Sequence, residues 1–121
     1  MKKNVLIIED EENIAKAQEI ILKDNFNVSI AFNGEEGLKM AKELKPDLII
    51  LDLMLPKIGG LEICRILRND TELANTKIIM VTAKNQPHDE LRGMETGADD
   101  YIMKPFEPDE LRHVVEQVFK A

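Results

Sequence analysis

The sequence has no tryptophan, one tyrosine and four phenylalanines, so aromatic residues make up only 4% of it. A core built from this chain must be aliphatic. Hydrophobic residues at 44% are enough to build one from Leu, Ile, Val, Met and Ala. The single cysteine, Cys64, cannot close a disulfide within the chain. A reducing, cytoplasmic setting is therefore expected, with Cys64 as a small core side chain. Positive charge is in deficit, with 16 Lys+Arg against 23 Asp+Glu and a formal net charge of −7. Nucleic-acid backbones and anionic membrane surfaces both attract clustered Lys and Arg, so neither is expected as a partner of this domain itself. No apolar run approaches the roughly 20 residues that cross a bilayer. The basic start Met1-Lys2-Lys3 leads into a short apolar stretch that ends in Glu9, Asp10, Glu11 and Glu12, unlike a signal peptide. Linkers, repeats and low-complexity tracts are missing too, and residues 1–121 read as one domain.

In place of long apolar runs the chain has short ones. VLII (5–8), LIIL (48–51) and IIMV (78–81) are nearly continuous, which is how strands read when both faces are covered, as in a parallel sheet. NVSIAF (27–32) and DYIM (100–103) are weaker and suit edge strands. Helical patterns separate them. Residues 12–25 carry Ile14, Ala17 and Ile21 with Ile20 alongside, residues 35–44 carry Leu38, Ala41 and Leu44, and residues 61–67 carry Leu61, Cys64 and Leu67. A shorter pattern lies near 89–96, and Leu111, Val114, Val115 and Val118 form the last stripe. Gly34, Gly59, Gly60 and Gly97 read as turn residues between elements, and Pro108 suits a first helical turn. This alternation predicts an α/β fold, a doubly wound five-stranded parallel sheet. Three fully apolar strands must be central and the two weak ones must be edges, which the flavodoxin-like order 2-1-3-4-5 satisfies.

Ligands of such sheets bind beyond the carboxyl ends of the strands. Glu9 and Asp10 follow the first strand, Asp52 ends the third, Thr82 the fourth and Lys104 the fifth. The lone acid in LIILDLMLP (48–56) is thus expected at the rim of a polar cleft. Two carboxylates about 5 Å apart repel by about 3 kcal/mol at an effective dielectric near 20. One lysine cannot neutralise three acids, so either an acid takes up a proton or a divalent cation belongs there. An all-oxygen ligand set favours a hard ion, Mg²⁺ or Mn²⁺, and neither His88, His113 nor Cys64 falls at this edge to suggest zinc. A cation, an ammonium and a hydroxyl around one carboxylate suit phosphoryl transfer to that carboxylate.

The pieces VLIIEDE (5–11), PDLIILDLMLP (46–56), GGL (59–61), VTA (81–83), GADDY (97–101) and KPF (104–106) follow one another along the whole chain. In these the sequence resembles the receiver domain of bacterial two-component response regulators, CheY-like in fold. The resemblance implies that a histidine kinase phosphorylates Asp52. It implies that Asp10, Asp52 and the backbone carbonyl of Met54 hold Mg²⁺, with Glu9 reaching the metal through water. Lys104 would pair with the phosphoryl group, Thr82 would swing toward it, and Tyr101 would turn inward as Thr82 moves. A cis Lys104-Pro105 bond would help to aim the lysine. The kinase would dock on the first helix around Ile14 and on Pro105-Phe106. The output face would comprise the fourth helix, the fifth strand and the fifth helix. Such a domain assists its own phosphorylation and dephosphorylation but is not an enzyme for an external small-molecule substrate.

GADDY with KPF looks like the subfamily that precedes a winged-helix DNA-binding domain and forms homodimers through the fourth and fifth helices. Arg92, Asp99, Asp100 and Glu110 fit its charged dimer face, while Val114 stands where that subfamily often has a basic residue. Two other readings rank lower. A constitutive interaction module that is never phosphorylated would not need the full set Glu9, Asp10, Asp52, Thr82 and Lys104. A phosphatase with an aspartyl nucleophile usually has a second acid two residues on, where this chain has Met54.

Overall fold

Each apolar run becomes a strand because it is covered on both faces. The computed structural model describes residues 2–83 and 97–120. Its strands are β1 (Lys3–Ile8), β2 (Phe26–Ala31), β3 (Leu48–Asp52), β4 (Lys77–Ala83) and β5 (Asp100–Lys104), all paired in parallel in the order β2-β1-β3-β4-β5. The two weak segments are the edges, as their sequences suggest. Among the described residues the helices are α1 (Glu12–Leu22), α2 (Gly34–Leu44), α3 (Gly60–Asn69) and a C-terminal helix (Pro108–Lys120), with a 3₁₀ turn at Thr71–Leu73. The helical pattern near 89–96, and Arg92 with it, lie outside the described residues.

Strand alternation sorts the core into two layers. Leu6, Ile8, Ile49 and Leu51 face one way and pack with Ala41 of α2 and Ile63, Cys64 and Leu67 of α3. Val5, Ile7, Leu48 and Ile50 face the other way and pack with Ala15 and Leu22 of α1 and Leu111, Val115 and Val118 of the C-terminal helix. Burying each large aliphatic side chain contributes about 1.5–3 kcal/mol, so the sheet is anchored from both sides.

The buried face of α1 differs from the one its hydrophobic residues suggest, while that of α2 keeps Ala41 and Leu38 but not Leu44. In α1 the buried residues are Ala15, Gln18 and Leu22, whereas Ile14 is half-buried, Ala17 is exposed and Ile20 is 62% exposed. The buried stripe is rotated by one position from the expected Ile14, Ala17 and Ile21. In α2 the buried residues are Gly34, Gly37 and Ala41, and Leu44 is exposed. A Cβ on Gly37 would lie 2.6 Å from the Ile8 side chain, so this helix touches the sheet with its backbone. Gly34 and Gly60 are the first residues of α2 and α3, not turn residues between elements.

Gly60 has a sharper constraint. Its amide donates to the Leu53 carbonyl at 3.0 Å, and a Cβ would lie 2.5 Å from the Asp52 carbonyl oxygen and 2.7 Å from Leu53 Cα. Both are backbone atoms, which cannot rotate away. At Gly59 a Cβ would meet nothing within 4 Å. We expect Gly60→Ala to lose about 1–3 kcal/mol of unfolding free energy through overpacking, and Gly59→Ala to be neutral or slightly stabilising through its effect on the unfolded chain. Urea denaturation of the two variants checks the contrast.

Candidate functional site at the carboxyl edge of the sheet

Parallel strands all end on one side, and that is how residues distant in sequence meet. Glu9 follows β1 directly, and its amide donates to the Ala31 carbonyl at 3.0 Å, which pins it to the edge strand. Asp52 is the last residue of β3. Thr82 lies near the end of β4, one residue past Val81, the register partner of Asp52. Lys104 ends β5, and the Lys104-Pro105 bond is cis.

Glu9, Asp10 and Asp52 each offer a carboxylate oxygen, and these oxygens all lie within 4.8 Å of one another. Glu9 is 1% exposed and Asp52 is 5% exposed, while Asp10 is open to solvent. The Lys104 ammonium donates to Glu9 Oε1 at 2.9 Å and lies 3.4 Å from Asp52 Oδ2. The second oxygen of Glu9 accepts the Glu11 amide at 3.2 Å, and Asp52 Oδ1 accepts the Met54 amide at 3.1 Å. The Thr82 hydroxyl is buried and has no hydrogen-bond partner among the described residues. Among the described residues, one rim therefore holds three acids, one ammonium and an unpaired hydroxyl.

The sequence-derived residues do not all converge. Tyr101 is paired with Met80, three residues before Lys104 in β5, and packs half-buried against the core layer beneath α2 and α3. At about 3.3 Å per strand residue it lies roughly 10 Å from the rim. The Met54 side chain points to solvent at 56% exposure, and only its backbone is engaged with the site. Asp99 binds Arg68 and the Ile78 amide, Asp100 accepts the Tyr101 amide, and Glu110 accepts the Glu107 amide. All three acids expected on a dimer face thus have partners within the chain. Beside the rim runs an apolar groove of about 560 Å³ lined by Ile14, Ala17, Ile21, Pro105, Phe106 and Pro108, together with Lys104. The rotation of α1 leaves these isoleucines free to line it.

The electrostatics of the rim show strain. Burial raises the Glu9 carboxyl from an ordinary 4.5 to about 7; the Lys104 hydrogen bond opposes this and the Asp52 charge adds to it. Burial works against the Lys104 ammonium, but its hydrogen bond to Glu9 and the charge of Asp52 outweigh burial, and its pKa rises. Because the folded-state value of Glu9 is raised, its contribution to stability is complete below pH 4.5 and is lost as pH rises through about 7. In divalent-free buffer, Glu9→Gln should flatten the fall in melting temperature between roughly pH 5 and pH 8. Thermal melts of both proteins across that range check this, and parallel curves would contradict it.

Comparisons with known proteins agree with this geometry. The family model described as response regulator receiver domain matches residues 5–116. Response regulator ArlR of Staphylococcus haemolyticus is 51% identical over 109 residues, covering 89% of this chain and 48% of ArlR. DNA-binding response regulator MtrA of Mycobacterium tuberculosis is 42% identical over 112 residues, covering 92% of this chain and 48% of MtrA. The chain spans about half the length of these curated relatives. The solved structure of chemotaxis response regulator CheY4 of Vibrio cholerae superposes with a TM-score of 0.92 at 28% identity, covering 98% of this chain and 99% of CheY4. The chain belongs to the receiver domains of two-component response regulators, a family whose general function is phosphorylation-based signalling.

Proposed function

We propose that Asp52 is the phosphoacceptor and that a histidine kinase supplies the phosphoryl group. One observation carries this reading: the carboxylates of Glu9, Asp10 and Asp52 lie within 4.8 Å of one another, with the Lys104 ammonium against two of them. An all-oxygen cluster of three acids around one lysine fits a hard divalent cation, Mg²⁺ or Mn²⁺. Asp10, Asp52 and the Met54 carbonyl would hold it, with Glu9 through water. When bound, it would neutralise charge on the phosphoryl oxygens.

The chain's own residues would do the rest. An Asp52 oxygen forms a bond to phosphorus while the bond from phosphorus to the donor imidazole nitrogen breaks, its electron pair staying on that nitrogen. Lys104 is already positioned to balance charge on the transferred group. The unpaired Thr82 hydroxyl has one donor to offer, and a phosphoryl oxygen near Asp52 is a natural acceptor for it. Movement of Thr82 would let Tyr101 turn inward, changing the face that includes β5 and the C-terminal helix. The groove between α1 and Pro105-Phe106 would receive an apolar helix of the kinase.

In this reading residues 1–121 act as one receiver unit that assists its own phosphorylation and dephosphorylation. It works in the cytoplasm and contacts neither membrane nor nucleic acid itself. A DNA-binding output and homodimers on phosphorylation follow the pattern of relatives such as MtrA, named as DNA-binding.

Incubation with Mg²⁺ and a small acyl phosphate should add one phosphoryl group to the wild type by intact mass. Asp52→Asn and removal of divalent ions by chelation should each abolish the adduct, and Lys104→Ala should slow its formation about tenfold or more. An adduct that survives Asp52→Asn, or none on the wild type, would favour a constitutive interaction module.

A further inference from the structure

Arg68, in the last turn of α3, has no part in the chemistry described above, yet each nitrogen of its guanidinium donates a hydrogen bond. Nε donates to the Gly97 carbonyl at 2.8 Å, Nη1 to the Thr76 carbonyl at 2.6 Å and Nη2 to the Asp99 carboxylate at 2.6 Å. The same Asp99 oxygen accepts the Ile78 amide at 2.7 Å, and the Asp99 amide donates to the Ile78 carbonyl at 2.8 Å. The Thr76 hydroxyl donates to the Pro46 carbonyl at 2.9 Å. One side chain thus joins the end of α3, the entry to β4 and the entry to β5. Gly97 has φ +104°, and a Cβ there would lie 2.8 Å from Arg68 Cγ, so the arginine stem crosses bare backbone. Three acceptors set in three directions suit a planar guanidinium and not the point charge of a lysine.

The entry to β5 matters because β5 is an edge strand that, among the described residues, pairs with β4 alone. That pairing places Met103 opposite Thr82 and Lys104 opposite Ala83. A slip of one residue would turn every β5 side chain to the other face, and Lys104 would leave the rim. We propose that Arg68 is a positioning residue for the chemistry at Asp52: it sets the register of β5 at its entry and thereby holds Lys104 against Glu9 and Asp52. This rests on the reading of Asp52 as phosphoacceptor. Glu9, Asp10 and Asp52 stand on or next to β1 and β3, so the clamp governs the ammonium and not the acids.

The test compares Arg68→Met, Arg68→Lys, Lys104→Ala and the Arg68→Met, Lys104→Ala double variant, each in the full chain. For Arg68→Met we expect Mg²⁺ affinity by calorimetry to stay within about twofold of wild type, while the rate of phosphorylation by a small acyl phosphate falls about tenfold. Arg68→Lys should recover part of that rate. The double variant should be no slower than Lys104→Ala alone, since both changes remove the same ammonium from the site. Equal losses of Mg²⁺ affinity and rate, or additive losses in the double variant, would overturn the proposal. Amide hydrogen exchange supplies a readout that needs no phosphorylation. Residues 101–104 should exchange about tenfold faster in Arg68→Met while β1 and β3 stay unchanged. Unchanged protection of β5 would overturn the clamp. A wild type that takes up no phosphoryl group would instead overturn the reading of Asp52, and the exchange result would still decide the role of Arg68.

Discussion

Like charges held together out of water are the constraint around which this molecule is built. Glu9 and Asp52 are almost wholly buried, Asp10 is within reach of both, and Lys104 stands against two of the three. At about 5 Å and an effective dielectric near 20, the buried Glu9–Asp52 carboxylate pair costs about 3 kcal/mol. That is a large share of the 5–15 kcal/mol by which a typical domain is stable. Burial is the main reason the Glu9 carboxyl is raised to about 7, and the charge of Asp52 adds to it. The arrangement persists because β1 and β3, which present the acids, lie in the middle of a sheet packed on both faces with Leu, Ile and Val.

Apolar packing and polar groups are divided between parts of the same strands. The interiors of β1, β3 and β4 are aliphatic and fully packed, and polar groups occur where each strand runs out. Thr82 marks the boundary. Its hydroxyl is buried without a partner among the described residues, in a strand that is otherwise apolar after Lys77. An unsatisfied buried group of this kind costs about 1–3 kcal/mol, so a new acceptor at the rim would be met by a donor already in place. β5 differs from the central strands. As an edge it draws less support from the sheet, and the Arg68 network at its entry supplies what neighbouring strands supply elsewhere.

Much of the site could be read from the chain. Glu9, Asp10, Asp52, Thr82 and Lys104 each follow or end an apolar run, and in a parallel sheet all such positions share one edge. The strand order was readable for a similar reason, because burial on both faces demands continuous apolar sequence and an edge does not. The helix faces were less legible. In α1 the hydrophobic pattern favoured Ile14, Ala17 and Ile21, but Ala15, Gln18 and Leu22 face the sheet. In α2, Gly37 packs against Ile8 beside the buried Ala41, and a glycine gives no hydrophobic signal however closely its backbone packs. Arg68 carried no signal either, since its partners are two carbonyls and an acid that lie 8, 29 and 31 residues along the chain in other segments.

The sequence by itself determined the fold class, the strand order and which residues would reach the carboxyl edge of the sheet. These depend on periodicity and chain order, which are local properties. Only the tertiary structure decided that Glu9 shares its two oxygens between Lys104 and the Glu11 amide, that the Thr82 hydroxyl is left unpaired, and that Asp99 is bound to Arg68. Those outcomes depend on distances between side chains carried by different elements. Such distances follow from how closely helices and strands pack, and packing at the scale of one ångström is a property of the assembled core.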